Sequence, residues 1–329
     1  MPKVSIIVPN YNHEKFLPKR FQSIFCQTFT DFEVICLDDF STDNSREIIK
    51  KVAQENNIQL IFNQVNSGSP FKQWNKGVRQ STGEYIWIAE SDDFADCRFL
   101  ERLVAIMEEN RDVGLAYCQS WIVDETDQPQ YINYQWTSDL DPERWENDFI
   151  NNGKDELCRY LITKNTIPNA SAVLIRRTLY NSLGGAPEDL SYCGDWYFWV
   201  KALLSSDVAY VSEPLNYFRE AHGKSVRKHV LDSGIRIHEN LKVIHLIKSH
   251  VPINYRNLRK SVLTRFNQWK NINRRGDIPW WRQKAIIALF EELLPELKWQ
   301  IYIQLPVLFL KHFRGSNKNL DGNRNRCQF

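Results

Sequence analysis

Three carboxylates, Glu90, Asp92 and Asp93, stand together directly after a short apolar run at residues 85–89. In an open α/β sheet, ligands bind at the carboxyl ends of the strands, so a buried strand that ends in acidic residues is a candidate site. Negative charges this close together are costly unless a positive charge neutralises them. One or two carboxylates completed by substrate phosphates are the ligands that Mg²⁺ or Mn²⁺ prefers. The spacing therefore indicates a divalent-cation site beside a phosphate-bearing ligand.

The alternative for the same residues is structural. Asp93 or Asp96 would cap a helix that is predicted to run through Met107, because aspartate oxygens accept hydrogen bonds from the free N–H groups at a helix start. A second acidic pair, Asp38 and Asp39, follows another apolar run. Two acidic strand ends favour a ligand site over capping alone.

Four strand-then-helix units can be traced in the first part of the chain. Apolar and β-branched runs predict strands at residues 3–8, 32–37, 59–62 and 85–89, each followed by apolar residues at helical spacing. This alternation predicts an α/β fold with a parallel central sheet and crossover helices. No GxGxxG follows the first strand and no GxxxxGK[ST] occurs, which disfavours the Rossmann and P-loop classes.

Composition sets the broad class of the protein. The 329 residues are enough for about two domains, and 13% aromatic residues indicate a folded globular chain. Seven cysteines without a CxxC pair, and no apparent signal peptide, lead us to expect a cytoplasmic protein. The most apolar late run, residues 301–310, is far shorter than the roughly 20 residues that span a bilayer.

Charge divides the chain unevenly. Residues 1–234 hold 24 Lys and Arg against 34 Asp and Glu, whereas residues 235–329 hold 18 against 6. We therefore predict a catalytic domain at 1–230, a basic helical region at 231–313 and a disordered tail at 314–329. The helical region would either dock on an anionic bilayer surface or pack on the catalytic domain with a solvated basic face. Nucleic-acid binding is not expected, since no matching fold motif occurs.

Five segments occur in a fixed order: VSIIVPNYNHEKFLPKRFQSIFCQTFTDFEVICLDDFSTDNS (4–45), NSG (66–68), NKG (75–77), GEYIWIAESDD (83–93) and GDWYFW (194–199). Together they resemble family 2 glycosyltransferases of the GT-A fold, over roughly residues 1–225, and especially bacterial transferases that build surface polysaccharides. The resemblance implies inverting, metal-dependent transfer from a nucleotide-diphospho-sugar, most often a UDP-sugar. The implied acceptor is a saccharide or a lipid-linked saccharide. If the basic helical region docks on the bilayer, the cytoplasmic enzyme lies at the inner face of the membrane.

The resemblance also implies which residues hold the donor. Pro9 lies against the base, Tyr11 stacks on it, and Asp39 accepts a hydrogen bond from the base imide, a pairing that discriminates against bases without that N–H. Lys72, in the loop before Trp74, is a weaker candidate for the diphosphate. The alternative makes Tyr11 a turn aromatic and Asp39 a helix cap.

In the family's DxD position the chain has Glu90, Ser91 and Asp92. Asp92 is then the implied direct ligand of Mn²⁺ or Mg²⁺, and Asp93 a second carboxylate beside the metal or the sugar. Glu90 departs from the common pattern by one methylene, which shifts the contact made by its carboxylate.

A later element, residues 217–225, resembles the family segment that closes over the diphosphate. It implies His222 as a further metal ligand and Arg219, Lys224 or Ser225 as phosphate contacts. A solvated surface histidine is the alternative for His222.

Asp195 matches the family's catalytic base, which takes the proton from the acceptor hydroxyl during inverting transfer. A helix N-cap at Asp195 is the alternative, and the two roles are compatible. Acceptor contacts are expected between residues 124 and 194, where residues 165–171 precede a predicted strand. A non-catalytic nucleotide-sugar or saccharide-binding module is the second functional hypothesis, and Glu90 is its support. A nucleotidyltransferase would be expected to show a glycine-rich basic loop after the first strand, and residues 9–12 (PNYN) do not form one.

Overall fold

A computed structural model describes residues 1–219, 233–273 and 278–303. The chain divides into two compact units, Met1–His222 and Gly223–Phe329. The predicted domain boundary after residue 230 and the predicted tail at 314–329 both lie outside the described residues, as do His222, Lys224 and Ser225.

In the first unit, ten strands belong to one sheet and seven α-helices accompany them within residues 1–219. The strands are β1 Val4–Asn10, β2 Phe32–Asp38, β3 Ile58–Phe62, β4 Tyr85–Ile88, β5 Phe94–Ala95, β6 Val113–Val123, β7 Pro129–Ile132, β8 Phe149–Asn151, β9 Val173–Arg176 and β10 Asp207–Arg219. The helices are α1 Leu17–Phe25, α2 Ser45–Glu55, α3 Pro70–Gln80, α4 Phe99–Glu109, α5 Gly153–Glu156, α6 Arg177–Ser182 and α7 Gly194–Leu203.

The sheet runs in the order β3-β2-β1-β4-β9-β6-β10-β5. The first four strands of that order are parallel, and β6 and β10 are parallel to each other. Strand β9 is antiparallel to both β4 and β6, so these two share the direction of the first four. The predicted α/β fold with a mostly parallel sheet is confirmed.

Helices cover both faces of the sheet at β1. Alternate residues Val4, Ile6 and Val8 belong to a buried cluster that includes apolar residues of α1 and α4. On the other face, a Cβ at Gly77 of α3 would meet the Ile7 side chain, so glycine permits this close approach. A strand buried on both faces explains why β1 is uncharged and mostly apolar.

The end of β2 carries a buried ion pair. The Asp38 carboxylate is fully buried and accepts hydrogen bonds from Arg46 Nε at 2.6 Å, Asn10 Nδ2 at 2.9 Å and Ser41 N at 3.1 Å. Arg46 lies in α2, so the pair fastens this helix to the ends of β1 and β2. Asp38 therefore supports the loop between β2 and α2.

The second unit contains the helices Ile235–His250, Tyr255–Asn273 and Trp280–Leu293 among its described residues. They lie within the helical region predicted at 231–313. Residues 298–303 are also helical. Phe266, Trp269 and Phe290 pack ring against ring with centroids 5.3–5.8 Å apart. No helix in the described part of the chain is both long and apolar enough to cross a membrane.

We predict that Arg46→Met lowers the free energy of unfolding by about 2 kcal/mol, because it leaves the buried Asp38 carboxylate without its cation. The two remaining hydrogen bonds to Asp38 keep the loss below that of a wholly unpaired charge. Urea denaturation monitored by circular dichroism measures the change.

Lys50→Met is the matched control, since Lys50 lies in the same helix and pairs with Glu47 through side chains that are 51% and 67% exposed. Its loss is expected to stay below about 0.5 kcal/mol. Equal effects of the two substitutions would contradict the assignment of stability to the buried pair.

Candidate active site

The carboxyl ends of β1, β2 and β4 meet at one edge of the sheet. Asn10 of β1 is in register with Asp38 of β2, and the backbone N–H of Ala89 donates to the Ile7 carbonyl oxygen at 2.8 Å. The turn after β1, the loop after β2 and the acidic segment after β4 are consequently neighbours. The sequence predicted that these three segments lie at one edge of the sheet. The strand pairing adds that β1 lies between β2 and β4.

Asp39 is a buried hub rather than a helix cap. Its Oδ1 accepts hydrogen bonds from Asn63 Nδ2 at 2.6 Å, Ser67 N at 2.9 Å and Gln73 Nε2 at 2.9 Å. Its Oδ2 accepts from the Ser67 hydroxyl at 2.7 Å and from Ser67 N at 3.1 Å. The carboxylate thus fastens the 63–69 loop and the start of α3 to the end of β2.

The other predicted donor residues surround this hub. Pro9 is buried in β1, whereas Tyr11 is 46% exposed on the turn that follows. Lys72 was predicted in a loop before Trp74, but it lies in the first turn of α3. The helix begins already at Pro70, since proline is compatible with the first helical position. Its Nζ donates to the Ser67 carbonyl oxygen at 3.3 Å, and the side chain is exposed.

The three clustered carboxylates have different partners. Glu90 Oε1 accepts a hydrogen bond from Trp74 Nε1 at 2.6 Å. Asp93 accepts from Arg219 N at 2.9 Å and from Asn169 Nδ2 at 3.1 Å. The Asp92 carboxylate is partly exposed and accepts no hydrogen bond from a described residue.

Helix capping does not account for the cluster. Helix α4 has Arg98 at its N-cap position, and the Asp96 carboxylate accepts a hydrogen bond from Arg98 N at 2.9 Å. Asp96 therefore supports the helix start, while Asp93 contacts the neighbouring segments described above. The two residues that were alternatives for one capping role have separate roles.

Burial makes the negative charge of the cluster expensive. Burial and the charge of Asp92 raise the pKa of Glu90 to about 8, and the same two causes raise the pKa of Asp93 above its usual range. Arg20 of α1 lies fully buried beside them, donating from Nε to the Glu90 carbonyl oxygen at 2.8 Å. Burial lowers the pKa of Arg20 to about 10, so it remains charged at neutral pH.

Arg20 was not predicted as a site residue. The signal was available, because Arg20 falls between Leu17, Phe21 and Ile24 on the apolar face of α1. A cation on the buried side of a helix needs an anionic or hydrogen-bonding partner. Only the fold identifies that partner as the segment after β4.

These residues fit a divalent cation that is shared with a ligand. No group of three or more His, Cys, Asp or Glu side chains within the described ranges could hold a metal ion by itself. Asp92 provides one carboxylate that accepts no hydrogen bond from a described residue. It lies next to Glu90 and Asp93, whose pKa values are raised first by burial and then by the charge of Asp92. Mg²⁺ and Mn²⁺ sites completed by substrate phosphates need no more than one or two carboxylates from the protein.

Arg219 ties the late strand to the acidic segment. Its Nε donates to the Asp92 carbonyl oxygen at 2.8 Å, and its other guanidinium nitrogens donate to the Asp124 carbonyl oxygen and the Asp127 carboxylate. The guanidinium also lies 4.2 Å from the ring centroid of Phe16. The side chain, which is buried, is thus engaged with protein groups, and the predicted phosphate contact by Arg219 has no support from this arrangement.

Asp195 lies in the first turn of α7, whose N-cap residue is Cys193. An acidic side chain at this position is favoured by the helix dipole. Asn165 Nδ2 donates a hydrogen bond to Asp195 Oδ2 at 3.0 Å, which fixes the orientation of the carboxylate. Asp195 is therefore oriented by a side chain outside its own helix, and it is not the N-cap.

One turn of α3 contacts Asp39, Glu90 and the helix that carries Asp195. Gln73 binds Asp39, and Trp74 binds Glu90 and stacks on Trp199 of α7 with ring centroids 6.4 Å apart. Phe71 packs against Gly194, where an added Cβ would collide with its ring. Helix α3 thus links the ends of β2 and β4 to the start of α7.

Residues 165–171 form a second connection. Asn165 contacts Asp195, Asn169 contacts Asp93, and the Ser171 hydroxyl accepts from Glu90 N at 3.1 Å. The same hydroxyl accepts from Arg20 Nη2 at 3.2 Å. From the sequence, this segment was expected only to contact the acceptor. In the structure its side chains contact both Asp195 and the acidic segment after β4.

Comparison with known proteins identifies the family. Residues 5–177 match the family model described as Glycosyl transferase family 2. The chain belongs to this family.

Two curated relatives illustrate the similarity. Over 112 residues, or 33% of this chain and 20% of the relative, the chain is 36% identical to the poly(ribitol-phosphate) beta-N-acetylglucosaminyltransferase TarS of Staphylococcus aureus. Over 228 residues, or 68% of this chain and 73% of the relative, it is 28% identical to the glycosyltransferase GlyG of Streptococcus pneumoniae. The chain therefore spans about a fifth of the length of TarS.

Solved structures support the fold. The structure of S. aureus TarS 1-349 in complex with UDP matches with a TM-score of 0.67 at 20% identity, covering 99% of this chain and 94% of that one. A mannosyltransferase from Pyrobaculum calidifontis in complex with GDP-Man and Mn²⁺ matches with a TM-score of 0.56 at 16% identity, covering 98% and 88%. The predicted GT-A fold is confirmed.

We predict that Gly194→Ala separates α7 from α3, since its Cβ would overlap the Phe71 ring. The expected loss in the free energy of unfolding is about 1–3 kcal/mol, typical of overpacking, measured by urea denaturation. Combining Gly194→Ala with Phe71→Leu is expected to recover part of that loss, because the smaller side chain makes room. A Gly194→Ala variant as stable as the parent would contradict the close packing.

Proposed function

We propose that the chain is an inverting glycosyltransferase that moves a sugar from a nucleotide-diphospho-sugar, a UDP-sugar, to a saccharide or lipid-linked saccharide in cell-surface polysaccharide synthesis. The observation that carries the proposal is that helix α3 binds Asp39 through Gln73 and Glu90 through Trp74, and packs against α7, the helix that carries Asp195. Relatives whose names state poly(ribitol-phosphate) glycosyltransfer support the reaction class. TarS structures with UDP and UDP-GlcNAc support the choice of nucleotide.

The nucleotide occupies the edge formed by the ends of β1 and β2. The base lies against Pro9 and Tyr11, and its imide N–H donates to Asp39. The exposed ammonium of Lys72 reaches the diphosphate from the start of α3.

The diphosphate lies next to the acidic segment. Asp92 would hold Mn²⁺ or Mg²⁺ there, while Asp93 and Glu90 are engaged with neighbouring protein groups. When bound, the cation offsets the negative charge that develops on the leaving diphosphate. Participation of His222 as a further ligand remains a prediction on a residue outside the described part.

Asp195 is the general base. It takes the proton of the acceptor hydroxyl as that oxygen bonds to the anomeric carbon and the bond to the diphosphate breaks on the opposite side, which inverts the configuration. Asn165 keeps one carboxylate oxygen in place and makes Asp195 orientation independent of the acceptor. The fixed position limits the motion needed to reach the reacting geometry.

Two single substitutions test these roles. Asp92→Ala and Asp195→Ala are each expected to reduce transfer at least 100-fold, consistent with the loss of a general base or of an electrostatic contact. Stabilisation by nucleotide-sugars, screened by thermal unfolding with and without Mn²⁺, identifies the donor, because a ligand of the native state raises its stability. Asp92→Ala is expected to lose the Mn²⁺-dependent part of that shift, and Asp195→Ala to retain it.

Contrary outcomes separate the hypotheses. Full transfer by Asp195→Ala would remove it as the base. Donor binding without hydrolysis or transfer in the parent protein would instead favour a non-catalytic nucleotide-sugar-binding module, the reading supported by Glu90 in the DxD position.

We also propose peripheral contact of the second unit with an anionic membrane. Trp281 and Trp299 are 61% and 79% exposed, and basic residues outnumber acidic ones threefold in residues 235–329. Exposed tryptophan and positive charge together favour binding at a negatively charged bilayer surface.

Sedimentation with phosphatidylglycerol-containing vesicles measures this contact. The parent protein is expected to bind them and to be released by high salt, and the double variant Trp281→Ala/Trp299→Ala to bind several-fold less. Tyr131→Ala, which removes an exposed aromatic ring from the first unit, serves as control. Equal binding to pure phosphatidylcholine vesicles would contradict the electrostatic part of the proposal.

A further inference from the structure

One tryptophan of the first unit is exposed. Trp136 has 41% of its surface in contact with solvent, and its six counterparts within residues 1–219 are buried or partly buried: Trp74, Trp87, Trp121, Trp145, Trp196 and Trp199. A single exposed aromatic residue is ordinary on a protein surface. Its anchoring and its neighbours decide whether it has a function.

The indole of Trp136 is held rigidly. Its backbone ends the 3₁₀ turn Asn133–Trp136, which is followed by the buried Thr137. Its Nε1 donates to the Asn165 carbonyl oxygen at 2.6 Å. Lys164 Nζ lies 5.1 Å from the ring centroid and donates to the Trp136 carbonyl oxygen at 2.8 Å and to Asp139 Oδ1 at 2.5 Å. Little conformational entropy remains to be lost when a ligand packs on this ring.

Asn165 connects this ring to the proposed base. Its carbonyl oxygen binds the indole of Trp136, and its side-chain Nδ2 binds Asp195 Oδ2 at 3.0 Å. One residue therefore separates a fixed, partly exposed aromatic ring from the carboxylate that receives the acceptor proton.

A sugar ring has the chemistry to fill that position. One of its faces presents C–H groups, which pack on an aromatic ring, while its edge presents hydroxyl groups. An exposed indole whose polar N–H is already hydrogen-bonded offers an apolar face without leaving a polar group unsatisfied. An acyclic polyol phosphate has no such face and gains little from stacking.

We propose that Trp136 is the acceptor platform, stacking on a cyclic sugar of the acceptor so that a ring hydroxyl points towards Asp195. The inference rests on the proposed glycosyltransfer and names the substrate class of its acceptor side. Asp139 and Lys164 flank the platform with one charge of each sign, which suits a neutral saccharide.

The competing explanation is that Trp136 acts through its N–H by positioning Asn165 and hence Asp195. Two variants separate the possibilities. Trp136→Ala removes both the ring face and the N–H, whereas Trp136→Phe retains an aromatic face and removes the N–H.

The experiment measures transfer to unmodified di- to tetrasaccharides, using the donor found in the thermal screen, together with hydrolysis of that donor by water. Stacking predicts that Trp136→Ala raises the KM for the best saccharide about tenfold, the scale of loss when a stacking side chain is truncated. It also predicts that hydrolysis takes a larger share of donor consumption. Trp136→Phe is expected to keep most of the saccharide affinity. Tyr255→Ala, which removes an exposed ring from the second unit, is the control.

Three results would overturn the proposal: an unchanged saccharide KM in Trp136→Ala, equal parallel losses of hydrolysis and transfer in both variants, or preference of the parent enzyme for a ribitol-phosphate chain with no effect of Trp136→Ala. Failure of the proposed function is a different result. In that case the parent protein itself neither hydrolyses nor transfers any donor in the screen.

Discussion

The structure of the site depends on how the sheet contains the negative charge at its carboxyl edge. Asp38, Asp39, Glu90 and Asp93 are withdrawn from water to differing extents, and a buried carboxylate is stable only with a cation or several hydrogen-bond donors. Arg46 neutralises Asp38, and amide and hydroxyl donors satisfy Asp39. These contacts connect β2 to α2, to the 63–69 loop and to α3, so the need to satisfy charge also determines the shape of the edge.

The acidic segment after β4 is compensated less completely. Arg20 is a buried cation beside it, yet the pKa values of Glu90 and Asp93 remain raised by burial and by the charge of Asp92. A site in this condition favours the arrival of positive charge, because a cation would stabilise the ionised carboxylates. Uncompensated negative charge at this edge of the sheet would be destabilising by itself, but it is compatible with binding a divalent cation together with a phosphate-bearing ligand.

Two segments connect the acidic ends of β2 and β4 with the start of α7. Helix α3 binds Asp39 and Glu90 through adjacent residues and packs on α7, which carries Asp195. Residues 165–171 contact Asp195 at one end and the acidic segment at the other. A displacement of either segment would therefore alter both sides together, which explains how residues far apart in sequence can maintain one geometry.

The sequence by itself determined the α/β alternation, the strands that end in acidic residues, the family and the helices of the second unit. These features follow from local apolar periodicity and from ordered motifs, which need no knowledge of distant contacts. It identified Asp39, Asp92 and Asp195 as candidate site residues because each is a carboxylate that lies in one of the ordered family motifs. It placed Lys72 in a loop, since proline at position 70 suits a turn as well as a helix start.

Only the tertiary structure decided the partners of those residues. Arg20 meets Glu90 across 70 positions of the chain, and Asn165 meets Asp195 across 30, so neither contact leaves a periodic trace in the sequence. The same applies to Arg219, whose guanidinium is occupied by carbonyl and carboxylate groups, and to Trp136, whose position beside Asn165 depends on the packing of two loops. Side-chain roles at this site are set by long-range burial and hydrogen bonding, and these exist only once the sheet has brought the segments together.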